Sequence, residues 1–146
     1  MVVRNPREVV LADIDNDRDM DLLIASQDDN SLTIVYSNCC QAGQRCASQC
    51  TDGSLAFTSA AIIPLVSKAS GVAVGDLDGD GVKEIVVVGG QNVYVLVQPA
   101  TVGNPWTILT VASTNANAVF TSVALTDLRE KGRYDIVATD SFTSVV

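Results

Sequence analysis

The chain of 146 residues has no histidine, and that absence excludes more chemistry than any residue present. Histidine is the usual general base near neutral pH and the commonest metal-binding imidazole. Serine–histidine nucleophilic catalysis and histidine-ligated zinc are therefore both ruled out. Basic residues are also scarce: 9 Lys and Arg against 17 Asp and Glu leave a net charge of −8. A nucleic-acid surface needs clustered Lys and Arg to meet phosphates, so no nucleic-acid partner is expected. Charged residues amount to only 18% while apolar ones reach 47%, which excludes intrinsic disorder.

Long apolar runs are missing too. Ile85 to Val88, and Ala60 to Val66 with Pro64 inside it, fall far short of the about 18 to 20 residues that span a bilayer, so no membrane insertion by this segment is expected. The opening Met1 to Glu8 has no apolar core of signal-peptide length. No stretch repeats its apolar residues at helical spacing. Of the four cysteines (Cys39, Cys40, Cys46 and Cys50) no two form a Cys-x-x-Cys pair. Their crowding into one polar stretch points to two local disulfides and an oxidising compartment, with a four-thiolate zinc site and free thiols as alternatives. Three disulfide pairings are possible, and the sequence does not choose among them.

What is present is a repeat. Three segments align without gaps: Ala12 to Ala25 (ADIDNDRDMDLLIA), Gly75 to Val88 (GDLDGDGVKEIVVV) and Thr126 to Thr139 (TDLREKGRYDIVAT). Each holds an aspartate (Asp13, Asp76, Asp127), an acid eight residues later (Asp21, Glu84, Asp135) and then an apolar run. A short strand-like stretch precedes each one: Val9–Leu11, Val72–Val74 and Ser122–Leu125. Ser31–Tyr36, Asn92–Val97 and Trp106–Val111 read as further strands. In Asn92–Val97, Val93, Val95 and Val97 fall on one face and Tyr94 and Leu96 on the other. Ile85 to Val88 is apolar on both faces, as a strand inside a stack would be. About four short strands per repeat is the content of one propeller blade.

The expected fold is therefore all-β: propeller blades of four-stranded antiparallel sheets, two full repeats and the start of a third. Approximate repeat bounds are 1–67, 68–117 and 118–146, with 38–53 a cysteine-rich insertion. Closed propellers need about four to eight blades. The chain starts just before its first acidic segment and stops where earlier repeats enter their third strand, which predicts a fragment of a longer protein. Neighbouring blades of the full-length chain would then be partners, because a repeat cannot bury its own face alone.

The acidic segments carry the chemistry. Asp13, Asp15, Asp17 and Asp21 stand at positions 1, 3, 5 and 9 of the first loop, and Asp76, Asp78, Asp80 and Glu84 at the same positions of the second. With Asp19 these are nine of the 17 acids. Carboxylates this close repel one another unless a cation lies between them. An all-oxygen, highly charged donor set suits Ca²⁺, which accepts a crowded and flexible shell. Position 7, Asp19 or Val82, would offer its backbone carbonyl. Position 12 (Ile24 or Val87) is apolar and the flanks are strands, so neither loop is an EF-hand. Gly81 at position 6 suits a positive φ; Arg18 in the first loop would pay about 1 kcal/mol for the same conformation. The third loop, Asp127 to Asp135, has Arg129 and Lys131 at positions 3 and 5. It is expected to be metal-free, with a fixed basic side chain pairing with its two acids.

Gly71 to Gly89 resembles an FG-GAP or VCBS repeat, the calcium-binding blade of integrin-alpha-type propellers, and Leu11–Ser26 and Ser122–Asp140 are similar to it. The Phe-Gly opening is replaced by Ser70-Gly71 and the closing Gly-Ala-Pro by Gly89-Gly90-Gln91, which places the chain nearer the broader VCBS type. The resemblance implies two structural Ca²⁺ sites. Their side-chain ligands would be Asp13, Asp15, Asp17 and Asp21, and Asp76, Asp78, Asp80 and Glu84. It implies an extracellular or cell-surface module for binding or adhesion, with a protein or polysaccharide ligand. Alternatives are a non-catalytic accessory region of a larger secreted hydrolase or lyase, and a structural assembly module. No catalysis is expected of the chain itself: Ser67, Ser70 and Thr114 lack a histidine base, and isolated acids such as Asp28, Asp29 and Asp52 form no repeated pattern. Tyr94 and Trp106 read as core residues, and Lys68 and Lys83 as solvated charges.

Overall fold

The computed structural model describes residues 3–37, 57–99, 104–112, 117–130 and 132–141. They form ten strands and, among the described residues, no helix. The first sheet runs β1 (Pro6–Ala12), β2 (Asp21–Ser26), β3 (Ser31–Ser37) and β4 (Phe57–Pro64), each antiparallel to the one before. The second repeats that order with β5 (Gly71–Gly75), β6 (Glu84–Gly89), β7 (Asn92–Val97) and β8 (Thr107–Ala112). The third sheet holds β9 (Phe120–Thr126) and β10 (Asp135–Asp140). Up-and-down four-stranded sheets stacked in chain order are propeller blades, two complete and one begun. The cysteine stretch, with its disulfide expectation, lies outside the described residues.

The stack follows from period-two alternation. In the first blade Leu23, Ala25, Leu32, Ile34 and Ile63 point to one side, where they meet Ile85, Val87, Tyr94 and Leu96 of the second in a single core. The other face of the second blade, Val86 and Val88 with Val93 and Val95, meets Val123, Phe120, Leu125 and Ala138 of the third. Strand β6 is buried along its whole length because its two faces serve two different cores. The expectation for Ile85 to Val88 thus has a concrete cause. Tyr94 fills the first core, and its hydroxyl accepts from Ser67 N at 3.0 Å and shares a 2.7 Å hydrogen bond with Ser67 Oγ. Trp106 packs partly buried against the same core.

The outer faces of the stack stay open. Val9, Leu11 and Ile62, on the side of the first blade away from the second, are 54%, 61% and 63% exposed. Polar ties reinforce the contact between the first two blades: Glu8 Oε2 of β1 accepts the Val72 amide of β5 at 2.7 Å, across 64 residues of sequence.

Gly89 marks the tightest approach of two segments. A Cβ there would sit 1.5 Å from the Lys68 carbonyl oxygen, and the neighbouring Val88 carbonyl accepts the Ser70 amide at 2.7 Å. Both the contact and the hydrogen bond are backbone, so neither can move aside cheaply. Gly89→Ala should destabilise the protein by about 3 kcal/mol or more, read by urea or thermal unfolding. Gly81→Ala, whose Cβ would meet nothing within 4 Å at φ +88°, should cost only about 1 kcal/mol.

Candidate metal centre

Each acidic loop joins the first two strands of its blade. The last ladder pair before each turn is Ala12 with Asp21, Gly75 with Glu84, and Thr126 with Asp135, so the position-9 acid closes the hairpin every time. The turns then share one backbone course. Position 4 has positive φ in all three (Asn16 60°, Gly79 84°, Glu130 52°), as does position 6 (Arg18 79°, Gly81 88°, Gly132 72°). The position-6 amide donates to the position-1 carboxylate in all three: Arg18 N to Asp13 Oδ2 at 3.1 Å, Gly81 N to Asp76 Oδ2 at 2.9 Å, and Gly132 N to Asp127 Oδ2 at 2.6 Å. Arg18 does adopt the left-handed conformation that glycine takes in the other loops. The strain foreseen there is real and local.

In the first two loops the remaining acids extend the pattern. Asp15 and Asp78 at position 3 accept the position-5 amides at 3.2 and 3.1 Å. Asp17 and Asp80 accept the amides of Asp19 and Val82 at 2.8 and 2.7 Å. Position 9 accepts the position-2 amide: Ile14 N to Asp21 Oδ2 at 2.9 Å, and Leu77 N to Glu84 Oε2 at 2.7 Å. These Asx-type bonds turn alternate carboxylates inward. Asp13, Asp15 and Asp17 bring one oxygen each within 4.8 Å of one another, and Asp76, Asp78 and Glu84 do the same.

The two clusters differ in their fourth member. Asp21 is fully buried, and its second oxygen accepts the Ser37 amide at 2.8 Å, so it ties the hairpin to the end of β3 and stands outside the close triad. Glu84, one methylene longer, reaches into its own triad, and Asp80 stands outside. Of the carbonyl donors expected at position 7, the structure shows the amide side: Asp19 and Val82 each donate to the position-5 acid.

Crowding shows in the electrostatics. Partial burial of its carboxyl, and then the charges of Asp17 and Asp21, push Asp15 up to about 6, although the residue as a whole is exposed. Burial also raises Asp21, against the lowering effect of its two backbone donors. Glu84 is raised by burial and next by Asp78, Asp80 and Asp76. One oxygen, Asp13 Oδ1, is buried with no hydrogen-bond partner. A cation held among these carboxylates would satisfy that oxygen. The oxygen-only donor set fits a hard divalent ion.

The third loop keeps the frame and changes the charge. Arg129 grips Asp135 with both arms, Nη2 to Oδ1 at 2.5 Å and Nε to Oδ2 at 3.3 Å. A guanidinium thus sits on the acid that closes the hairpin, as the Arg129 substitution at position 3 leads one to expect. Asp127 spends one oxygen on the Gly132 amide. Lys131 lies outside the described residues.

Three contributors to the first loop escaped sequence reading. Lys83 Nζ donates to the Asp13 carbonyl at 2.6 Å and to Asn16 Oδ1 at 3.4 Å, so the reading of Lys83 as a solvated charge is corrected. Gln98 Nε2 donates to the Ile14 carbonyl and, at 3.2 Å, to the Lys83 carbonyl. Tyr36 lies close enough that Asp15 and Asp21 help burial to raise its hydroxyl, while a hydrogen bond from Trp106 opposes the rise. All three depend on contacts between segments far apart in the chain, which no local pattern announces.

The profile of the FG-GAP-like repeat matches residues 13–87, which is just over half of the 146. The chain belongs to the FG-GAP-like repeat family. The matched interval opens on Asp13 and closes inside β6, so it spans one period of the repeat and the acid-rich loop that opens the next. No curated protein and no solved structure matches the chain. Within the FG-GAP repeat, the two triads occupy the same hairpin turn of successive blades.

Two outcomes follow for the metal-free protein. Arg18→Gly should raise stability by up to about 1 kcal/mol, by relieving the left-handed φ, and a urea titration in chelator would read it. The raised carboxyls set the pH dependence. Between about 4 and 6 the native Asp15 holds a proton that the unfolded chain has lost. The contribution of Asp15 to stability is therefore largest below about pH 4 and is lost as pH rises through about 6. Asp21 and Glu84, also raised, act in the same sense. In chelator, the melting temperature should fall between pH 4 and 7, and Asp15→Asn should flatten that fall.

Proposed function

We propose that the protein is an extracellular, calcium-stabilised β-propeller module for binding or adhesion, with a protein or polysaccharide ligand. The observation that carries the metal reading is the bare, buried Asp13 Oδ1 inside a carboxylate triad that recurs with Asp76, Asp78 and Glu84. Asp13, Asp15, Asp17 and Asp21 would hold one Ca²⁺ and Asp76, Asp78, Asp80 and Glu84 another, with the carbonyls of Asp19 and Val82 beside them. Bound there, the ion supplies positive charge at the point where the carboxylates converge. The chain's own residues do the rest: backbone amides orient the acids, and the position-9 side chain fixes the turn to its strands.

The role assigned to calcium is structural. It neutralises a repulsion that would otherwise open the hairpin between the first two strands of a blade. Membership of the FG-GAP-like repeat family supports the extracellular placement. None of the described segments forms a helix long and apolar enough to cross a membrane. Ligand recognition falls to loops other than the acidic ones, whose carboxylates are assigned to the turn and its ion.

Calorimetric titration of chelator-treated protein with Ca²⁺ tests this directly. Two binding events are expected, with stability against unfolding raised by about 2.7 kcal/mol per site at a hundredfold excess over Kd. Asp76→Ala with Asp78→Ala should remove one event and leave the other. Folded protein that binds no Ca²⁺ would sink the proposal. The third loop offers a test by gain: Arg129→Asp with Lys131→Asp restores acids at positions 3 and 5 and should add a third binding event.

A further inference from the structure

Lys83 stands at position 8 of the second loop, yet its ammonium group serves the first. It takes the carbonyl of Asp13 and the side chain of Asn16, while Gln98 takes the next carbonyl, that of Ile14, and braces the Lys83 backbone. The third loop repeats the gesture with different chemistry. Its position-8 residue, Tyr134, lies over Gly75, the residue before Asp76; a Cβ on Gly75 would be 3.2 Å from Tyr134 Cδ2. In the first loop position 8 is Met20, 60% exposed, with no earlier blade among the described residues to reach.

We propose that the position-8 side chains of the second and third loops reach back onto the acidic hairpin of the preceding blade, and that Lys83, helped by Gln98, is a latch that positions the first loop for its cation. This rests on the cation reading of that loop. The first loop has the greater need of a latch. It places Asn16 and Arg18 at positive φ where the second loop has Gly79 and Gly81, so its ligating course is strained and an external hold favours it. The held carbonyls belong to Asp13, which carries the bare oxygen, and to its neighbour Ile14. Cation binding in the first blade is thereby coupled to its packing on the second.

Charge and hold predict opposite signs, which makes Lys83 a sharp probe. Loss of a positive charge beside acids would strengthen Ca²⁺ binding in both loops. Loss of the latch weakens it in the first loop alone. In a chain carrying Asp76→Asn and Asp78→Asn, only the first loop binds. Lys83→Met should there lower Ca²⁺ affinity by about three- to tenfold, the scale of one hydrogen bond, and Lys83→Arg should recover most of it. In a chain carrying Asp13→Asn and Asp15→Asn, Lys83→Met should leave the second loop's affinity unchanged or higher. Unchanged or tighter binding in the first loop overturns the latch, and so does an equal loss in both loops.

Absence of Ca²⁺ binding by the unsubstituted protein would overturn the cation reading itself. Amide hydrogen exchange in chelator then judges the latch without any metal. Lys83→Met should speed exchange of the Ile14 and Arg18 amides by about threefold or more. Their counterparts in the second loop, Leu77 and Gly81, should stay as they are. Equal exchange of Ile14 and Arg18 in both proteins overturns it.

Discussion

The mutual repulsion of carboxylates in a tight turn is the constraint on which the rest of this structure depends. In each of two blades three carboxylate oxygens lie within 4.8 Å of one another at the tip of a β-hairpin. Such a turn would splay if left to its charges. Backbone amides hold it by donating to the acids at positions 1, 3, 5 and 9, and the position-9 acid anchors it to the ladder. What the amides leave undone is visible in the bare Asp13 oxygen and in an Asp15 carboxyl pushed up to about 6. The third loop shows the alternative solution, in which an arginine of the same loop supplies the positive charge.

The hairpins in turn position the blades. The strands that leave the acidic loops carry the apolar runs that build the cores: β2 feeds the first, β10 the second, and β6 sends alternate residues into both. A blade therefore depends on its neighbours for half of its burial, and β6, with neighbours on both sides, is buried throughout. The ties between blades are concentrated near the loops and inner strands: Glu8 to Val72, Lys83 to Asp13, Gln98 to Ile14. Turn conformation and blade stacking are in this way parts of one arrangement.

Much of this was legible in the chain because the physics involved is local. Period-two alternation in Asn92–Val97 foretold that Tyr94 and Leu96 would enter one core and Val93 and Val95 another. The doubly apolar Ile85 to Val88 foretold a strand between two layers. Glycine at position 6 of two loops foretold the positive φ that Arg18 must share. The subdivision of the acids was not legible. That Glu84 joins its triad while Asp21 is drawn away to the Ser37 amide depends on one methylene and on where β3 ends. Nor was Lys83 legible, since its partner lies 70 residues earlier and only the stacking of blades brings the two together.

The most direct measurement is a crystal structure of the protein grown with Ca²⁺, with the ions located by anomalous scattering. Two peaks are predicted, one within about 2.3 to 2.6 Å of oxygens from Asp13, Asp15 and Asp17, and one at the same range from Asp76, Asp78 and Glu84. The Arg129–Asp135 pair should remain intact and without an ion. A folded protein with no peak at either triad, or with its ion bound elsewhere, would contradict the assignment of these loops as calcium clamps.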